Sequence, residues 1–152
     1  MYQTLTVYHN MLRWLVLASL LLAIYRAAKG YFTHSPFTKT DNAIRHWTAT
    51  IAHIQLMIGM TLYFQSPVIK YFLANFKTAV KSFDLLFFPL IHTTMMLTAI
   101  VLITIGSALA KRQESDHKKF KTMLSWFGIA LLLIFIAIPW PFSPFASRPY
   151  FR

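Results

Sequence analysis

Four apolar runs, residues 5–25, 47–65, 85–110 and 120–140, take up more than half of this 152-residue chain. A helix needs about 20 mostly apolar residues, at ~1.5 Å rise each, to cross a bilayer. All four runs meet that length, the second being the shortest. The charged residues, only 12% of the chain, cluster between them. A soluble domain carries roughly twice that share, and folded in water this pattern would expose far more apolar surface than water tolerates. The expectation is a single all-α membrane domain, an integral-membrane four-helix up-down bundle over residues 1–152.

The net charge of +11 does not point to nucleic acid. The basic residues sit at run ends and in loops, not along one recognition element. Arg26, Lys29, Lys39 and Arg45 lie between the first two runs. Lys111, Arg112, Lys118, Lys119 and Lys121 lie between the last two. The other side has Lys70, Lys77, Lys81, Arg148 and Arg152, so the bias is nine to five. The positive-inside rule then puts the first and third loops in the cytoplasm and both termini outside. The first run is read as a span and not a cleavable signal, because it lacks a basic n-region, is too long, and has no small-residue cleavage site before Arg26. The chain has no cysteine, which excludes thiolate ligation, disulfides and c-type haem attachment.

Local signals divide the rest. Thr40 or Asp41 is expected to cap the second helix, and Ser66–Pro67 to end it. Ser115 or Asp116 suits the cap of the fourth, which Pro139–Trp140–Pro141 stops. Pro89 falls near the outer end of the third, where a kink or short first turn is tolerable. Between helices two and three, Ile69, Phe72, Phe76, Val80 and Phe83 recur at helical spacing, with Lys70, Lys77 and Lys81 on another face. This predicts an amphipathic interfacial helix over 67–83. The proline- and aromatic-rich tail, 139–152, reads as an interface anchor.

The functional signal is His9, His53 and His92, which lie inside spans that contain no Asp or Glu. An intramembrane ionisable side chain marks a functional site by default, and imidazole is well suited to a haem iron or another transition metal. His9 precedes Arg26 by 17 residues and His92 precedes Lys111 by 19, which places both some 26–28 Å from the inner charges. The first and third helices run the same way and are diagonal neighbours in an up-down bundle. Two imidazoles facing across that core is the geometry of bis-histidine haem ligation. His53 follows Arg45 by 8 residues, only ~12 Å in, so it sits deeper toward the cytoplasm. A His53–His92 pair stays open, because helix tilt blurs the count.

Arg13 lies one turn from His9 on the same face. With no carboxylate in the spans, a haem propionate would serve as its partner, and snorkelling to the interface is the alternative. Trp14 beside it either stacks on a porphyrin or marks the interface. His34, His46 and His117 read as ordinary loop or interface residues. A minor alternative is copper, because Met95 and Met96 follow His92, and Met57 and Met60 follow His53, and thioethers with imidazole suit Cu(I).

Four segments carry a resemblance: His9-Asn-Met-Leu-Arg-Trp14, His53-Ile-Gln-Leu-Met-Ile-Gly59 with Tyr63-Phe-Gln-Ser-Pro67, His92-Thr-Thr-Met-Met-Leu97 running to Gly106, and Ile138-Pro-Trp-Pro141. In their order and spacing the chain resembles small four-helix bacterial membrane proteins commonly labelled cytochrome b-like. The resemblance covers nearly the whole chain. It implies a haem b and electron transfer in a bacterial inner membrane, with periplasmic termini and with His9, His53 and His92 at the matching positions. It further implies an electron-transfer component and not a self-contained enzyme, with the lipid bilayer and a quinone or other redox partner around it. The chain departs from di-haem cytochromes b, which need two histidine pairs. The rival expectation is a non-catalytic accessory subunit of a larger membrane complex, possessing no cofactor.

Overall fold

The computed structural model describes residues 1–143, and the last nine residues of the expected tail anchor lie outside the described residues. The described residues are helical with no strand. Four long helices dominate: α1 (Tyr2–Thr33), α2 (Lys39–Gln65), α6 (Thr93–Arg112) and α7 (Asp116–Ala137). Between α2 and α6 lie the short α3 (Pro67–Ala74), α4 (Phe76–Ala79) and α5 (Phe83–Leu86), then a π-helical turn, Phe87–His92. Three helical stretches are long and apolar enough to cross a membrane: Tyr2–Thr33, Phe83–Arg112 and Asp116–Ala137. The second long helix has the length but not the apolarity, in contrast to the expectation of four such spans.

α1 packs on α2 and α7, and α6 packs on α7 and α2. The core is built from small residues beside large ones. Ala23, Ala27, Ala99 and Ala110 are fully buried, as are Leu20, Ile103, Met123 and Phe127. Small side chains let backbones approach, the main source of packing energy when lipid removes the hydrophobic drive. Two glycines set the closest approaches. A Cβ on Gly30 would lie 2.3 Å from the Phe120 ring, and one on Gly106 2.3 Å from the Trp126 Cβ.

The helix ends correct two expectations. α2 begins two residues early, capped by Thr38 and not by Thr40 or Asp41. The Thr38 amide and hydroxyl donate to Asp41 Oδ2 at 2.9 and 2.6 Å, and the Asp41 amide donates back to Thr38 Oγ1 at 3.2 Å. Asp41 plays the part that Glu or Gln plays in the usual capping box. α7 is capped by Ser115, whose hydroxyl accepts from the Lys118 amide. The second correction concerns 67–83, which is not one amphipathic helix. Asn75 breaks it, Ile69 and Phe72 are buried, but Phe76 and Phe83 are exposed.

Candidate functional site

His92 owes its position to Pro89. Proline has no N–H to donate and its ring crowds the preceding turn. The helix widens to a π turn over Phe87–His92, and the Thr93 hydroxyl donates to the Phe88 carbonyl at 2.8 Å across the loosened ladder. A π turn carries one extra residue, so it rotates the preceding residues by about 100° relative to those after it. At its end, His92 Nδ1 lies 2.9 Å from the Ala137 carbonyl oxygen. A carbonyl only accepts, so Nδ1 carries the proton. In the neutral ring this leaves Nε2 with its lone pair, the arrangement that a metal-binding histidine requires. The Ala137 carbonyl is free for this because α7 ends there, with Ile138 as its C-cap and Pro139 following.

His9, on α1, faces His92. The two ring centroids lie 6.5 Å apart with planes at 69°. Two imidazole–metal bonds of the zinc length, about 2.0–2.1 Å, plus roughly 1 Å on each side from ring centre to nitrogen, span about 6 Å. The two rings, packed edge to face, are thus about as far apart as two imidazoles would be if they held one metal ion between them. His9 Nδ1 is buried without a hydrogen-bond partner among the described residues. Gln55 of α2 donates its amide to the His9 carbonyl at 3.0 Å, and its own Oε1 is likewise buried and unsatisfied. Two unsatisfied buried polar atoms on neighbouring helices are unusual in a packed interior. Gly59 makes room beside the ring, since a Cβ there would lie 3.2 Å from His9 Cε1.

Aromatic rings pack on His92 and, one turn from His9, around Arg13. Phe87 and Phe88 centre 6.0 and 5.9 Å from the His92 ring. The Arg13 guanidinium lies 5.3 Å from the Trp14 ring centre, and Trp14 meets Trp140 edge-on at 5.8 Å. Trp140 donates its indole N–H to the Phe135 carbonyl at 2.8 Å and is buried. Of the described tail residues Trp140 packs into the molecule, and Phe142 is exposed.

The structure thus brings together His9 and His92, with Arg13 a turn away, and leaves His53 apart. His53 Nε2 lies 2.9 Å from Thr104 Oγ1, whose own hydrogen goes to the Ile100 carbonyl. That makes His53 the donor and Nδ1 its lone-pair nitrogen. Among the described residues, no three His, Cys, Asp or Glu side chains gather as a metal site.

One polar cluster escaped the sequence reading. Arg26 Nη2 and Asp41 Oδ1 form an ion pair at 2.8 Å, and Asp41 is buried. Nearby, buried Arg45 donates to Asn42 Oδ1 and to the Ser107 carbonyl and hydroxyl. A lone acid amid basic loop residues was the available signal. Comparison with protein-family models, with curated proteins and with solved structures gives no match.

Proposed function

We propose that this chain is a small membrane cytochrome of the b type. The observation that carries the reading is the His9–His92 pair, 6.5 Å between centroids, with the lone pair of His92 fixed on Nε2. In donor type and separation these are the residues that would hold a haem iron, and the His92 tautomer leaves Nε2 available for it. The membrane arrangement is a four-helix up-down bundle in a bacterial inner membrane, with both termini periplasmic and the histidine pair in the outer half. α2 is the fourth span, its length sufficient and its polar side chains turned to α1 and α6.

A haem held there would supply one-electron transfer, between a quinone or similar donor and an outer acceptor. His92 is held in register by the Ala137 carbonyl, and His9 by the Gln55 bond to its backbone. Arg13 offers the positive charge that a propionate needs in spans that contain no carboxylate. Phe87 and Phe88 keep water from the His92 imidazole.

The experiment is a reduced-minus-oxidised optical spectrum of detergent-purified protein from haem-supplied cells. Bands of a six-coordinate haem b, lost in both His9→Ala and His92→Ala but retained in His53→Ala, are expected. A folded, colourless protein with no haem by mass analysis would overturn the reading. Metal analysis of the same sample covers copper. The second reading, a cofactor-free accessory subunit of a larger membrane complex, draws on the close aromatic packing around His92 and on the seating of His9 against Gly59. The colourless outcome favours it.

A further inference from the structure

A second site lies at the opposite end of the bundle, between α2 and α6. These two helices touch over less of their length than the other neighbouring pairs. The space left is a cavity of about 250 Å³ lined by Arg45, His46, His53, Thr104, Ser107 and Lys111, among others. No carboxylate lines it. Of the four acidic residues in the chain, Asp41 is committed to Arg26 and Asp116 to Lys119. Neither Arg45 nor Lys111 has an ion pair among the described residues.

Arg45 is the telling residue. It is 5% exposed, and four of the five guanidinium N–H groups are spent on neutral acceptors, Asn42 and Ser107. One N–H on Nη2 remains. Burying a cation without a counter-charge is costly, and an arriving anion relieves that cost.

The stripes leading away from the cavity say which anion. On α6, Lys111, Ala108, Thr104, Val101 and Leu97 follow at alternating three- and four-residue spacing and share a face. On α2, His46, Thr50, His53 and Met57 do the same. Both stripes are polar at the cavity, where Lys111 and the neighbouring Arg45 supply the positive charge, then apolar and exposed at Met57, Val101 and Leu97. A polar head with an apolar tail matches this template, and a free ion would use only half of it.

We infer that the α2–α6 groove binds an anionic phospholipid, its phosphate at Arg45 and Lys111 and its acyl chain along Met57, Val101 and Leu97. Basic pockets between transmembrane helices at the cytoplasmic side are suited to such headgroups. The inference rests on the membrane placement proposed above and not on the haem.

Native mass spectrometry of the full chain in mild detergent tests it, with phosphatidylglycerol, phosphatidylcholine and inorganic phosphate as probes. Phosphatidylglycerol is expected to bind in preference to phosphatidylcholine. Lys111→Gln, an exposed position, should weaken phosphatidylglycerol about fivefold, the equivalent of one surface charge. Lys77→Gln, in the loop at the far end, should leave it unchanged, and so should His92→Ala. A second variant, Val101→Ser, should weaken the lipid without altering retention of the head-group charge preference. Equal binding of the two lipids, equal effects of Lys111→Gln and Lys77→Gln, or full competition by inorganic phosphate at the lipid concentration would overturn the proposal. Lipid binding that survives in a colourless protein would sink the haem reading alone.

Discussion

Asp41 shows how much one residue holds at the start of α2. Burial works to raise its carboxyl, but the Thr38 hydroxyl and amide and the Arg26 guanidinium outweigh this and keep it below the ordinary carboxylate value. A group depressed in the folded state stabilises above its unfolded pKa and loses that contribution as pH falls through the folded value. The thermal midpoint should therefore hold near neutrality and drop below about pH 4, where an unperturbed Asp titrates. Asp41→Asn should lower stability at pH 7 by roughly 1–3 kcal/mol and flatten the acid limb of the melting profile. An unchanged profile would show that the cluster contributes nothing. Sequence reading caught Asp41 only as a cap candidate, because Arg26 was counted for topology and its 15-residue separation hides the pairing. The His9–His92 partnership was legible, because both positions can be counted from the inner charges along straight helices. Gly59 was not, because nothing in a sequence says which glycine faces an imidazole. Gly59→Val should displace His9 and, on the haem reading, broaden or abolish the haem bands while the helical signal remains.

The elements carry their own tests. Gly106 meets the Trp126 Cβ, an atom that cannot swing away as the end of a side chain can. Gly106→Ala should cost about 1–3 kcal/mol by overpacking, read as a lower melting temperature in detergent. Gly128, with open space around its position, is the control, and Gly128→Ala should be neutral or slightly stabilising. Thr38→Ala should cost about 1 kcal/mol through loss of the cap. That cap was misplaced by two residues because the familiar signature has Glu or Gln at the third position, where Asp41 stands. A kink or a short first turn was expected at Pro89, and the helix instead widens to a π turn, a form that depends on the neighbours. The Thr93 hydroxyl that serves the Phe88 carbonyl makes a widened turn tolerable. The single helix expected over 67–83 failed because periodicity alone does not register the stop at Asn75.

At the scale of the whole molecule, the hydropathy of α2 was the main departure from expectation. The residues that lower it are the ones that bind the neighbouring helices. The Thr48 hydroxyl donates to the Ser19 carbonyl, Gln55 to the His9 carbonyl, and His53 to Thr104. Two of the three bonds go to α1 and one to α6. A chain without cysteine makes the topology directly testable by single-cysteine labelling. On the proposed arrangement, Lys77→Cys reacts with an impermeant maleimide in intact cells, and Lys118→Cys reacts only after lysis. The reverse pattern with Lys29→Cys labelled from outside would invert the bundle, and Lys29→Cys reacting on the same side as Lys77→Cys would remove α2 from the membrane. The same hydrogen bonds have a consequence for biogenesis. On the proposed arrangement, a helix too polar to partition alone would enter the bilayer with its partner, so α1 and α2 would leave the insertion machinery as one hairpin. The acceptors on α1 are synthesised before the donors on α2, and the His9 end of the site would therefore be joined before His92 has been translated.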